Sequence, residues 1–154
     1  MTALAVGDRV DSFDGVNQFG QSVTIGAGSA WLVFFYPFAF TGICSSELRA
    51  LDEMRRPLRD VGVRLAAVSC DSMFALRVFS DAEHFSFDLV SDHWPHGAIA
   101  ERFGVFDARR GCALRGSFLV DQDRTVRWRT VQNLGQPRDM NAHLAAAREL
   151  AADR

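Results

Sequence analysis

The chain has 154 residues, a formal net charge of -2 and 48% hydrophobic residues. That is most simply one domain, residues 1–154, with ample apolar mass for a core. With no global basic field, nucleic acid and anionic membranes are excluded as obligate partners. The start carries no basic, then apolar, leader. The longest apolar run, Trp31 to Phe40 around Pro37, is too short to span a bilayer. Cys44, Cys70 and Cys112 are odd in number and scattered. This is not the framework of a secreted disulfide-bonded domain, so a reducing cytoplasm is the expected compartment.

Residues 7–25 are rich in Gly and Asp with short apolar alternation, which predicts an N-terminal hairpin. Trp31 to Tyr36 is apolar without alternation and predicts a strand buried on both faces. From Gly42 the period changes. Leu48, Leu51 and Met54 or Leu58 share one face of an amphipathic helix, which Pro57 bends or ends. Val63 to Ser69 reads as a strand. Asp71 or Ser72 then caps a helix running to about His84, and Phe87 to Val90 is a short strand. Residues 95–103 predict a short helix with Pro95 near its start, ending at Gly104. Val105–Asp107, Ser117–Asp121 and Thr125–Val131 read as strands, the last two joined by a turn over 122–124. Residues 138–151 read as a terminal helix. Alternating units followed by an antiparallel pair predict a three-layer α/β fold, a mixed central sheet with helices on both faces.

The strand–turn–helix around Cys44 is where chemistry is expected. A free thiol has a pKa of about 8.5 and is mostly protonated at neutral pH. The first turn of a helix leaves backbone N–H groups unpaired, and they favour a negative charge placed there. Cys44 stands in that turn. Thr41 lies three residues before it, an offset that brings its hydroxyl onto the sulfur's side, and Pro37 fixes the turn after the strand.

Pro37-x-x-x-Thr41-x-x-Cys44 resembles the active-site signature of the peroxiredoxins, thiol peroxidases of thioredoxin-like fold. Ser91-Asp92-His93-Trp94-Pro95-His96-Gly97 and Arg115 to Asp121 resemble later blocks of that family, in order. The wording around Cys44 and Trp94 is similar to the one-cysteine, alkyl hydroperoxide reductase E type. The resemblance extends from about Val6 to the terminal helix. It implies a thioredoxin-like domain with no metal or organic cofactor, in which Cys44 is the peroxidatic cysteine and passes through a sulfenic acid. It further implies that Thr41 bonds thiolate and peroxide, that Arg115 stabilises the thiolate and the charge moving along the oxygens, that Glu47 orients Arg115, and that Pro37 shields the sulfur. Hydrogen peroxide, alkyl hydroperoxides or peroxynitrite would be the substrates. An external thiol would be the reductant, such as mycothiol with a mycoredoxin, or a thioredoxin. The physiological role implied is antioxidant defence and redox homeostasis, and the assembly a homodimer or higher homo-oligomer.

Each residue has a plainer reading. Cys44 could pack behind Leu48, Thr41 could be an ordinary N-cap, and Arg115 could be solvated or paired. Glu47 could be a carboxylate answering the helix dipole. Trp94 and His96 read as packing and turn residues bordering the pocket, with Phe38, Phe40 and Trp94 suggesting an apolar rim. The spacing of His93 and His96 does not make a zinc site. Where one subgroup carries a resolving cysteine, five residues after Cys44, this chain has Arg49. Cys70, at a strand end, and Cys112, in a hairpin or loop and open to solvent, are the candidate resolving thiols. Otherwise Cys70 is a buried structural residue and Cys112 a bystander on the surface. Two further functions stay open. A dithiol oxidoreductase needs a Cys-x-x-Cys pair, where this chain has Cys44-Ser45-Ser46-Glu47. A redox sensor or holdase would be switched by oxidation of Cys44.

Overall fold

The structure, a computed structural model, describes residues 2–153. Strands β1 (Phe13–Asn17) and β2 (Ser22–Ile25) form the expected antiparallel hairpin. Asn17 closes its turn, its side-chain Oδ1 accepting from the N–H groups of Phe19 and Gln21. Strand β3 (Ala30–Phe35) is buried at every position, which is why its sequence does not alternate. Helices α1 (Gly42–Glu53) and α2 (Arg55–Asp60) lead to β4 (Val63–Ser69), α3 (Met73–Glu83) and β5 (Asp88–Ser91). Then come α4 (Ala98–Arg102), the short β6 (Phe106–Asp107) and β7 (Cys112–Ala113), β8 (Arg115–Val120), β9 (Val126–Gln132) and α5 (Met140–Ala152).

A seven-stranded sheet runs β2-β1-β5-β4-β3-β8-β9. Its middle, β5-β4-β3, is parallel, and the flanking pairs are antiparallel. Side chains of a strand alternate between faces, and β3 divides the interior accordingly. Ala30, Leu32 and Phe34 pack with Leu48 and Leu51 of α1, Leu76 and Phe79 of α3, and Ala147 and Leu150 of α5. Trp31, Val33 and Phe35 pack with Ile99, Ala100 and Phe103 around α4. Helices therefore cover both faces, as the element order implies. Each large apolar side chain so buried contributes roughly 1.5–3 kcal/mol.

Four local details differ from the sequence reading. The first helix breaks at Met54 rather than at Pro57. Pro57 instead lies in the first turn of α2, where a missing N–H costs no intrahelical bond. Helix α4 is shorter than predicted, and Pro95 lies outside it after a cis Trp94–Pro95 bond. Gly97 at its N-cap has φ +77°, and a Cβ there would overlap the Phe106 ring. The helix is capped from a distance by Asp92, whose carboxylate accepts from Ile99 N at 2.8 Å and Ala100 N at 2.9 Å. Ser72, not Asp71, caps α3. The fourth detail is β7, which pairs with β6 and carries Cys112 inward, with 0% exposure. The expectation that Cys112 is a surface thiol is therefore wrong.

Candidate active site

The parallel centre of the sheet delivers the chain into α1. Tyr36 N still bonds Val68 O at 3.0 Å, so the strand's direction persists to the buried Pro37. Asp71, just beyond β4, holds the next turn through Ala39 N at 2.9 Å. Phe40 takes a left-handed φ of 70°, and Thr41 is the extended N-cap. Cys44 is the third residue of α1 and has no exposed surface.

Arg115 donates from Nη1 to the Cys44 sulfur at 3.2 Å. The same Nη1 donates to Glu47 Oε1 at 3.0 Å, and Nε donates to the Leu134 carbonyl at 2.7 Å. Glu47 lies three residues after Cys44, the spacing that puts two side chains on one face of a helix. It also carries a second arginine. Arg138 donates to Oε2 from its backbone N at 2.7 Å and Nε at 3.1 Å, and to Oε1 from Nη2 at 2.8 Å. The side chains of Arg115, Glu47 and Arg138 are 4%, 3% and 0% exposed. Burial pushes the Glu47 carboxyl up. Hydrogen bonds and charge from Arg138, with the charge of Arg115, outweigh that and hold it below its ordinary value. The helix-dipole reading of Glu47 gives way to a buried ion pair with two partners.

Charge in this cluster is uneven. Two guanidinium groups face one carboxylate, and a buried charge without a counterion is costly. The Cys44 sulfur is the group within hydrogen-bond reach of Arg115 that can supply the missing negative charge. A charge-assisted bond of this kind is stronger than a neutral one and fixed in direction.

Cys44, Glu47 and Arg115 thus meet, but Thr41 does not join them as expected. Its hydroxyl donates to the Phe38 carbonyl at 3.0 Å, a local side-chain-to-backbone bond that competes with the N-cap contact. Among the described residues it makes no hydrogen bond to the sulfur. Trp94 is 86% exposed and so is not the packing residue expected of it; Phe38 and Phe40 are also exposed. Arg49 ties α1 to α3 through a two-pronged bond to Glu83. Cys70 and Cys112 are buried free thiols. Burial, followed by the charges of Asp92, Cys112 and Asp71, pushes Cys70 up to about 12. Burial and then Asp107 push Cys112 up to about 11.

Arg138 was missed. It stands at the predicted start of the terminal helix, 91 positions from Glu47, and no local pattern marks it. The one hint is an arginine just ahead of the helix cap Asp139, with no carboxylate a turn away.

Comparison with known proteins agrees with this geometry. Residues 6–129 match the model of the AhpC/TSA family. The chain is 35% identical over 153 residues to alkyl hydroperoxide reductase E of Mycobacterium tuberculosis, covering 97% of this chain and 99% of that protein. It is 30% identical over 126 residues to the chloroplastic 2-Cys peroxiredoxin BAS1 of Hordeum vulgare, covering 77% of this chain and 59% of that protein. Among solved structures, peroxidoxin BcpB from Mycobacterium tuberculosis superposes with a TM-score of 0.82 at 26% identity, covering 94% of this chain and 97% of that one. AhpC from the same organism shares the fold, with a TM-score of 0.85 at 21% identity over 99% of this chain and 96% of that one. With a thioredoxin-like sheet, a cysteine opening α1 and full-length similarity to alkyl hydroperoxide reductase E, the chain belongs to the AhpC/TSA family and is a peroxiredoxin of the alkyl hydroperoxide reductase E type.

Proposed function

We propose that the chain acts as a single-domain, thiol-dependent peroxidase whose nucleophile is Cys44. The Cys44 thiolate attacks one peroxide oxygen, an S–O bond forms and the O–O bond breaks. The leaving oxygen takes a proton and departs as water or an alcohol, and Cys44 becomes a sulfenic acid. Negative charge moves from sulfur to the leaving oxygen along this path. A donor fixed beside the sulfur stabilises that shift without reorganising. Arg115 is that donor, Glu47 and Arg138 hold it, and Pro37 covers the turn. Thr41, exposed at the mouth of the helix, turns its hydroxyl to the incoming peroxide. Because Cys44 has no exposed surface, a small peroxide reaches it when the exposed Phe40–Gly42 turn shifts.

The observation that carries this reading is the 3.2 Å contact from Arg115 to Cys44 inside a cluster with excess positive charge. Burial, with a nearby carboxylate added at each, pushes Cys70 up to about 12 and Cys112 up to about 11, so both are protonated at neutral pH. This favours one-cysteine chemistry, with the sulfenic acid reduced by an external thiol such as mycothiol with a mycoredoxin, or a thioredoxin-like protein. We place the enzyme in the cytoplasm as a homodimer, serving peroxide detoxification. No helix in the described residues is long and apolar enough to cross a membrane. The test is peroxide consumption with a thiol donor. Cys44→Ser abolishes it, while Cys70→Ala with Cys112→Ala retains it. Turnover by Cys44→Ser would end the proposal.

A further inference from the structure

Behind the Glu47–Arg138 pair lies a histidine that the reaction above does not use. His143 is in the first turn of α5 and is buried. Its Nδ1 lies 3.0 Å from the Asp139 carbonyl and its Nε2 lies 2.7 Å from Ser117 Oγ. A carbonyl can only accept, so Nδ1 carries the proton and Nε2 keeps a lone pair. Ser117 must then donate its hydroxyl proton to Nε2. Its oxygen is left facing Arg138, which donates to it from Nη1 at 3.1 Å. The Asp139 carbonyl thereby fixes the direction of every bond from α5 back to the arginine.

The surroundings hold the ring in this role. Trp128 of β9 stands edge-on to the imidazole with centroids 4.9 Å apart, and Phe34 of β3 is tilted against it at 5.5 Å. Phe34 also bears the Arg138 guanidinium over its ring at 3.6 Å. The charged groups facing His143 are Arg138, ahead of α5, and Glu47 of α1. Burial, then the Arg138 charge, push His143 down to about 4, so the ring is neutral at pH 7 and free to accept. Ser117 is fully buried as well, so the pair does not act as nucleophile and base toward a substrate.

We propose that His143 is a positioning residue for the peroxidase centre: by accepting the Ser117 hydroxyl it aims the Ser117 oxygen at Arg138, and Arg138 in turn holds Glu47 and Arg115 against the Cys44 sulfur. This rests on Cys44 being the peroxidatic cysteine. Without an acceptor at position 143, the Ser117 hydroxyl proton loses the partner that turns it away from Arg138, and the oxygen lone pairs are no longer held toward the guanidinium. The guanidinium then loses its side-chain anchor opposite Glu47, and Nη1 is left to the carbonyls of Phe35 at 2.7 Å and Gly116 at 3.1 Å.

The test is the second-order rate constant for oxidation of Cys44 by hydrogen peroxide in a single turnover, with the urea midpoint measured separately for each variant. His143→Leu removes the acceptor and lowers the rate constant about tenfold; His143→Gln restores an acceptor and returns it to within about threefold of the wild type. Ser117→Ala falls by a similar factor, and the double variant Ser117→Ala/His143→Leu falls no further, because both break one chain. If His143→Leu does not fold, Ser117→Ala carries the test, and an unchanged rate constant overturns the proposal. It is also overturned if His143→Leu loses stability but keeps its rate, or if His143→Gln falls as far as His143→Leu. Cys44→Ser separates the two readings: a peroxide response surviving in it defeats the peroxidase assignment, whatever the His143 variants do.

Discussion

The three cysteines are buried to a similar depth, yet their neighbours differ in sign. Cys44 receives an arginine N–H inside a cluster of two guanidinium groups and one carboxylate. Cys70 lies near the carboxylates of Asp92 and Asp71, and Cys112 near Asp107 with the Arg110 charge opposing it; burial first and these carboxylates second push both well above the ordinary thiol value. Burial by itself disfavours a thiolate wherever it occurs. On the proposed mechanism the neighbouring charge decides which sulfur becomes the nucleophile: the fold places the Arg115 guanidinium on Cys44 and carboxylates near Cys70 and Cys112.

The largest effect expected from disturbing this contrast is on Arg115. Arg115→Met removes the cation at Cys44 but leaves the Glu47–Arg138 pair matched. The protein should fold, and its rate constant with peroxide should fall by about 10²–10³-fold, the usual cost of losing one preorganised donor; stopped-flow oxidation measures it. Arg138→Met should lower the rate constant at least as far as His143→Leu does, and it also acts on stability. It leaves Glu47 buried with one partner in place of two, and a broken buried pair costs about 3–5 kcal/mol, read from urea unfolding.

Acid gives a third, graded effect. His143 titrates near 4 when folded and near its ordinary 6.5 when unfolded. The unfolded chain therefore takes up a proton first, and stability falls as pH drops from about 6.5 to about 4, by on the order of 3 kcal/mol. The Glu47 carboxyl is held low when folded, so its contribution is present above the ordinary carboxylate range and is lost as pH falls through the folded value. Both act in the same direction. Urea midpoints between pH 7 and pH 4 should fall in the wild type and fall less in His143→Gln. The smallest effect is expected on the other side of the comparison. Cys70→Ala and Cys112→Ala should leave the rate of Cys44 oxidation within about twofold, while costing on the order of 1 kcal/mol in stability.

What the sequence makes legible follows from how local each feature is. The unalternating run Trp31–Tyr36 and the period of Leu48 and Leu51 announce the central strand and the first helix, because one element's own burial writes those patterns. Cys44 and Thr41 are legible in the strand–turn–helix. Arg115 and Glu47 are legible only through resemblance to the family, since Arg115 approaches Cys44 from 71 positions away. Arg138, Ser117 and His143 leave no local trace; each has a partner on another element. The two-residue strands β6 and β7 are too short to show a period, so the burial of Cys112 was hidden. The Thr41 hydroxyl had a choice between the helix turn and the Phe38 carbonyl, and a backbone offset does not settle which it takes.

The central claim is that one sulfur of the three is the nucleophile. It is tested most directly by treating the reduced wild-type protein at pH 7 with one equivalent of hydrogen peroxide in the presence of dimedone and locating the adduct by peptide mass spectrometry. The account predicts a single sulfenic adduct on Cys44, with Cys70 and Cys112 recovered as unmodified thiols. An adduct on Cys70 or Cys112 with Cys44 untouched, or a disulfide joining Cys44 to either, would contradict it.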